Sequence, residues 1–357
     1  MREKEAVVVV NPGSTSTKFA LFTRDTMVLE ETVRHPQEEL DKFDLVTEQF
    51  DLRFAKIREA VDRAVKERGL IVVGSVGRGG PVKPLAGGTY RVSDALLEDL
   101  SSCRYANHAS NLGGMIAHKF AEIYKLSDSY IVDPVTTDNM WDKARLSGVP
   151  EIERACRVHA LNIKAVARYI AAEMGVPFEK ARFVVAHMGG GISIAALDGG
   201  KIVDVNDGLL GMGPFSPERA GALPLRGLMK LCYSMEESAL KKKLSKESGL
   251  KAYLGTNDFR TVVEMIEKGD ENARKVVDAF IYQVAKEIGS YAAALQGKID
   301  AIIVTGGIAY QPMFTEALKE YVGWMAEYRV FPGENELQAL AEGAFRVIDG
   351  EEIPQEY

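Results

Sequence analysis

The stretch Ala6-Val7-Val8-Val9-Val10-Asn11-Pro12-Gly13-Ser14-Thr15-Ser16-Thr17-Lys18-Phe19-Ala20-Leu21-Phe22 decides the architecture. Residues 6–10 form an unbroken apolar run of strand length, residues 18–22 read as a second strand, and the loop between them is rich in Gly, Ser and Thr. A tight turn of this composition can aim backbone N–H groups and hydroxyls at phosphate oxygens, with no side chain in the way at Gly13. A plain hairpin turn would use the same residue types, so this loop alone leaves both readings open.

Working outward, residues 51–68 place Leu52, Ile57, Val61, Ala64 and Val65 at helical spacing, and Gly69 ends the helix. A buried strand is expected over 70–76, a helix over 110–125 and another strand over 129–133, which makes an α/β layer closing near Pro150. The second half repeats the plan: a strand over 182–186, a loop over 187–191 and a strand over 192–197. Phe183-Val184-Val185-Ala186-His187-Met188-Gly189-Gly190-Gly191 aligns turn for turn with the opening stretch, and residues 302–308 align with 71–80. The spacing between these landmarks is longer in the second copy by about 55 residues, so an internal duplication with a helical, Lys-rich insertion over 224–267 is expected. The expected domains are residues 1–150, with the last helix (337–357) crossing back to them, and residues 151–336. A second Gly-rich turn shifts the balance toward a clamp on a chain of phosphates from two sides of an interdomain cleft. GxxxxGK[ST] and a helix-opening GxGxxG are both missing, which disfavours Walker and Rossmann sites.

The bulk properties narrow the classes. The chain has 357 residues, 46% hydrophobic and 27% charged, which suits about two globular domains and excludes disorder. A formal charge of −7 opposes a large phosphate-neutralising footprint, so no nucleic-acid partner is expected. The apolar run at 6–10 is too short for a signal or a membrane span, and a cytoplasmic protein is expected. Cys103, Cys156 and Cys232 are widely spaced without a CxxC pair and read as buried structural thiols. The lysine run 241–243 reads as a solvated helix face.

The run Val10-Asn11-Pro12-Gly13-Ser14-Thr15-Ser16-Thr17-Lys18 resembles the amino-terminal signature of the acetate kinase family, carboxylate kinases of the sugar-kinase, heat-shock ATPase and actin superfamily. The resemblance continues through Val76-Gly77-Arg78-Gly79-Gly80, His108-Ala109-Ser110-Asn111-Leu112, Val132-Asp133-Pro134, Ala186-His187-Met188-Gly189-Gly190-Gly191 and Pro217-Glu218-Arg219-Ala220-Gly221. The second and fifth of these segments, counted from the signature, are most similar to the butyrate kinases within the family. It implies two ribonuclease-H-like (actin-like ATPase) α/β domains with the active site in the cleft, ATP/ADP and Mg²⁺, a small carboxylic acid with its acyl phosphate, and a homo-oligomer, dimeric or larger. It assigns Asn11, Gly13, Ser14, Ser16 and Lys18 to the phosphate and metal region, and Arg78 and Arg219 to the carboxylate and the migrating phosphoryl group. Asp133 becomes a carboxylate beside the site, and His159 the histidine on the phosphoryl in flight. His108 and His187 become cleft histidines, Gly189, Gly190 and Gly191 the second phosphate loop, and Gly306 and Gly307 part of the segment against adenosine. Ala309-Tyr310-Gln311 departs from the Gly-Glu-Asn usual in acetate kinases, and a metal-side glutamate maps to either Glu334 or Glu336.

The chemistry explains the residue types. Carrying a γ-phosphoryl group to a carboxylate brings two anions together, and arginine's planar, permanently charged fork suits both. The attacking carboxylate carries no proton at neutral pH, so no general base is required, unlike in a sugar kinase. The reaction implied is butyrate plus ATP giving butyryl phosphate plus ADP. The alternatives are an acetate, propionate or branched-chain acid kinase and, from another class, an actin-like or chaperone-type conformational ATPase.

Overall fold

The computed structural model describes residues 2–357, which divide into two compact units. The first comprises the chain through Asp138 together with Asn335–Tyr357, and the second is Asn139–Glu334, so residues 139–150 group with the second unit.

In the first unit, β1 (Glu5–Pro12), β2 (Ser16–Phe22), β3 (Met27–Arg34), β4 (Ile71–Arg78), β5 (Thr89–Arg91) and β6 (Tyr130–Val132) form one sheet of order β3-β2-β1-β4-β6-β5. The first three strands are joined as an antiparallel meander, and β4 and then β6 add parallel to β1. Residues 6–10 are fully buried because β1 is central. Val8 and Val10 face the helices Phe50–Arg68 and Asn111–Tyr124, and the helix Glu336–Ile348 packs on β1 and β4. Gly69 closes the first of these helices in the left-handed conformation. The last helix is tied to this unit by Arg24, which grips Asp349 at 2.7 Å, and the segment after it by Gln355 N–H, which donates to Thr89 O at 2.8 Å.

The second unit contains β7 (Arg182–Met188), β8 (Ile192–Asp198), β9 (Lys201–Val205), β10 (Ala301–Gly306) and β11 (Glu327–Pro332), in the order β11-β10-β7-β8-β9. This is the same meander followed by two parallel additions. Alternation along β7 sends Val184 and Ala186 toward the long helix Glu271–Ala294, and Phe183 and Val185 toward the helix Ala160–Glu173. The strand that follows the meander arrives after one long helix, Phe50–Arg68, in the first unit, but after Leu225–Cys232, Glu237–Lys246, Gly249–Leu254 and Phe259–Glu267 as well as Glu271–Ala294 in the second. Four additional helices thus precede that strand in the second unit, and residues 241–243 are exposed on one of them.

Two expectations require correction. Asn11 and His187 lie inside β1 and β7 rather than in loops, because both ladders run on to Pro12/Thr17 and Met188/Ile192; likewise Arg78 is the last residue of β4. The thiols are not buried: Cys103 and Cys156 are half-buried, and Cys232 is exposed at the end of a helix that buries none of its residues. No helix among the described residues is long and apolar enough to cross a membrane.

Candidate functional site

Each unit brings a set of polar residues to the turn between its first two strands, and the two sets are described separately. In the first unit the turn is short: Gly13 N–H donates to Ser16 O at 2.7 Å, with Ser14 and Thr15 exposed at the tip. Arg53, fully buried on the helix Phe50–Arg68, lies beneath it and donates to Gly13 O and Ser14 O at 2.8 Å, Ser16 O at 3.2 Å and Thr17 Oγ1 at 3.1 Å. Thr17 Oγ1 also meets His35 Nε2 at 3.1 Å. Burial, with Arg53 and Lys56 nearby, pushes the His35 pKa down to about 4. Lys18 is exposed on β2.

Beside this turn the carboxylate of Glu336 joins two other site residues. Asn11 Nδ2 donates to Glu336 Oε2 at 2.7 Å, and the nearly buried Arg78 pairs with Glu336 Oε1 at 2.5 Å. The glycines around Arg78 fix its placement. A Cβ on Gly77 would collide with the Gly113 carbonyl, and one on Gly113 with the Arg78 carbonyl, so the helix Asn111–Tyr124 can dock this close to β4 only with both glycines. That helix brings His108 along at its amino end, where Nδ1 meets Ser110 Oγ at 2.7 Å; burial, and then the charge of Arg78, hold the imidazole pKa below its ordinary value. Asp133 is buried with φ of +39°, and its Oδ1 accepts from Gly88 N–H at 2.8 Å. A non-glycine residue in that region stores strain, which is common beside functional sites.

In the second unit the turn is Gly189-Gly190-Gly191, closed by Gly189 N–H donating to Gly191 O at 3.1 Å. His187, almost fully buried, stacks on His159 with ring centroids 4.2 Å apart. Asn162 Nδ2 lies 2.9 Å from His187 Nδ1, and His187 Nε2 faces Glu334 Oε1 at 3.3 Å. His159 Nδ1 meets Ser193 Oγ at 2.8 Å. Arg219 sits against Gly191, where a Cβ would collide with its guanidinium, and donates to Gly208 O, while its Nε is buried with no hydrogen-bond partner. Ser216 braces this arrangement, donating to Gly190 O at 2.9 Å and accepting from Arg219 N–H at 3.2 Å.

Gly306 ends β10 with φ of +89°, and a Cβ there would come within 2.5 Å of Met188 O. Next to it, Gly189, Gly190, Gly307, Ile308, Tyr310 and Gln311 share with Asn257, Asp258 and Arg260 a cavity of about 480 Å³. Asp258 caps the helix Phe259–Glu267 and holds the Arg260 guanidinium at 2.9 Å. The structure therefore groups Asn11, Arg78, His108 and Glu336 in one unit, and His159, His187, Arg219, Glu334 and the two Gly segments in the other. Sequence reasoning missed Arg53, Asn162, Ser193, Ser216 and the cavity residues of the insertion.

The comparisons bear on this constellation. The probable butyrate kinase of Clostridium botulinum (strain Alaska E43 / Type E3) is 46% identical over 356 residues, covering 98% of this chain and 99% of the relative. The chain belongs to the acetokinase family. The probable butyrate kinase of Clostridium botulinum (strain Eklund 17B / Type B) is equally similar at 46%, and the family model described as Acetokinase family matches residues 152–319. Among solved structures, the acetate kinase of Porphyromonas gingivalis superposes with a TM-score of 0.77, covering 96% of this chain and all of its own. At 17% identity this last likeness concerns the fold, which is that of the acetokinases.

Proposed function

We propose that the protein transfers the γ-phosphoryl group of ATP to a short-chain carboxylate, butyrate foremost, giving the acyl phosphate and ADP. The observation that carries this reading is the near-full-length relationship to two proteins named probable butyrate kinase; the residues at the two turns supply the chemistry.

A carboxylate oxygen of the acid attacks the γ-phosphorus in line, the new oxygen–phosphorus bond forms, and the bond to the β–γ bridging oxygen breaks, leaving ADP. We assign the Ser14–Ser16 turn and the Gly189–Gly191 turn to the nucleotide phosphates. The cavity beside Gly307 and Tyr310 is assigned to the nucleoside. Arg78, with His108, would hold the acid and the migrating group, while Arg219 and His159 would meet the phosphoryl oxygens. The unpartnered, buried Nε of Arg219 supports its role, because a donor in that state calls for an acceptor. Asp133 is assigned to the edge of the acid site.

Among the described residues no cluster of three His, Cys, Asp or Glu side chains is placed to hold a metal. Mg²⁺ does not need one, since it takes one or two protein oxygens and completes its shell with water and phosphate. The Asn11 amide and the Glu336 carboxylate, in contact with each other, fit that demand; Glu334 turns to His187, which supports Glu336 as the metal-side glutamate. Mg²⁺ held there with the nucleotide would offset charge on the transferring phosphate.

The test is a steady-state comparison of acetate, propionate, butyrate and isobutyrate with ATP and Mg²⁺, with hydroxamate trapping of the product. The highest kcat/KM is expected for butyrate, with each methylene changing it by about 10-fold or more. A clear preference for acetate or isobutyrate would reassign the acid, and no acyl phosphate from any of the four would refute the reading.

A further inference from the structure

We infer that Arg53 is the positioning residue of the first phosphate-binding turn: a buried cation that sets the direction of the backbone N–H groups at its tip. The inference rests on the nucleotide-binding role proposed for that turn. A trans peptide points its C=O and the following N–H to opposite sides. Arg53 draws the carbonyls of Gly13 and Ser14 inward at 2.8 Å each, so the N–H groups of Ser14 and Thr15 point outward. Successive N–H groups aimed to one side make an anion-binding nest, and here they lie on the exposed side of the turn while the guanidinium is fully buried on the other.

Arginine suits this place and lysine does not. Six contacts to the turn and to Gln49 come from the three nitrogens of one rigid plane: Nη1 serves Gly13, Ser16 and Thr17, Nη2 serves Ser14, and Nε and Nη2 both meet Gln49 Oε1 at 3.0 and 2.8 Å. Gln49 in turn holds the plane at the start of the helix. Among the described residues no carboxylate is bonded to the guanidinium; every acceptor is a neutral oxygen. Its charge is therefore not neutralised by a direct partner and adds to the positive potential at the floor of an anion site. Burial pushes its pKa down, yet an arginine stays protonated.

The test compares wild type with Arg53→Lys, Arg53→Met and Gln49→Met, measuring the calorimetric Kd for MgATP, the KM values for ATP and butyrate, and the melting temperature. Arg53→Lys should weaken MgATP binding about 10-fold and Arg53→Met more, with the butyrate KM within about twofold of wild type, the split expected when one subsite loses its preorganisation. Gln49→Met keeps the cation and frees its plane, so it should still weaken MgATP binding severalfold if the Arg53 variants do not fold. A folded Arg53→Lys or Gln49→Met protein with unchanged MgATP affinity, or with both KM values raised in parallel, would overturn the assignment. Wild type that binds MgATP yet makes no acyl phosphate would sink the proposed reaction, while the MgATP affinities would still decide the role of Arg53.

Discussion

The two glycine turns occupy the same place in the same strand order, yet they are built on opposite plans. The first, between β1 and β2, presents its own atoms: hydroxyls and outward N–H groups, braced from beneath by Arg53. The second, between β7 and β8, has no side chains of its own, and its three glycines leave room for Arg219 to lie against Gly191 and for His159 to stack on His187. Duplication thus conserves the strand order, while the chemistry at each turn depends on which neighbouring element contributes a cation and on which side of the backbone it stands.

This contrast breaks most sharply at the second turn. Arg219→Ala should lower kcat by about 10²- to 10³-fold, on the order of 3 to 4 kcal/mol, as when one preorganised electrostatic donor is lost; Arg219→Lys should recover only part of it. Gly191→Ala, which leaves Arg219 in the chain but puts a methyl group where its guanidinium lies, should cost on the order of 10- to 100-fold. Gly190→Ala adds a methyl group that meets no protein atom and leaves Arg219 in place, so its loss should be smaller than that of Gly191→Ala. Hydroxamate assays of the four proteins, with circular dichroism as the folding control, check the series. Equal effects at Gly190 and Gly191 would mean that the turn matters only as a turn.

The smallest effect belongs to the first turn and concerns pH. His35 has a folded pKa of about 4, below the unfolded value near 6.5, so between these pH values the unfolded chain takes up a proton that the folded one refuses. Its contribution to stability is present above about pH 6.5 and is lost as pH falls toward 4. The melting temperature should therefore drop between pH 7.5 and pH 5, and His35→Gln should drop less over the same interval. Identical slopes for the two proteins would remove His35 from the support of this turn.

The strand–turn–strand pairs were legible because an apolar run covered on both faces leaves an unmistakable mark, and a glycine between two such runs has little choice but to turn. The insertion was legible as a change in spacing between the copies. The ends of the strands were not: Asn11 and His187 read as loop residues because they are polar, but the ladder carries on until the chain reverses. Arg53 was hidden for a different reason. It occupies a helix whose apolar spacing was read from Leu52 and Ile57, and nothing in a one-dimensional pattern shows that the face beside them closes over a turn near the start of the chain. The different surroundings of Glu334 and Glu336 were not legible either, because the last helix begins between them: Glu336 starts the helix of the first unit and meets Asn11, while Glu334 belongs to the second unit and meets His187. The expectation of buried cysteines failed at Cys232, where a helix in the insertion leaves its residues uncovered.

The most direct measurement is phosphorus NMR of the purified chain with ATP, Mg²⁺ and butyrate. The γ-phosphate signal of ATP should be replaced by that of an acyl phosphate, in step with ADP and dependent on butyrate. Release of inorganic phosphate with ADP, unchanged by omitting the acid, would contradict it and point instead to a conformational ATPase.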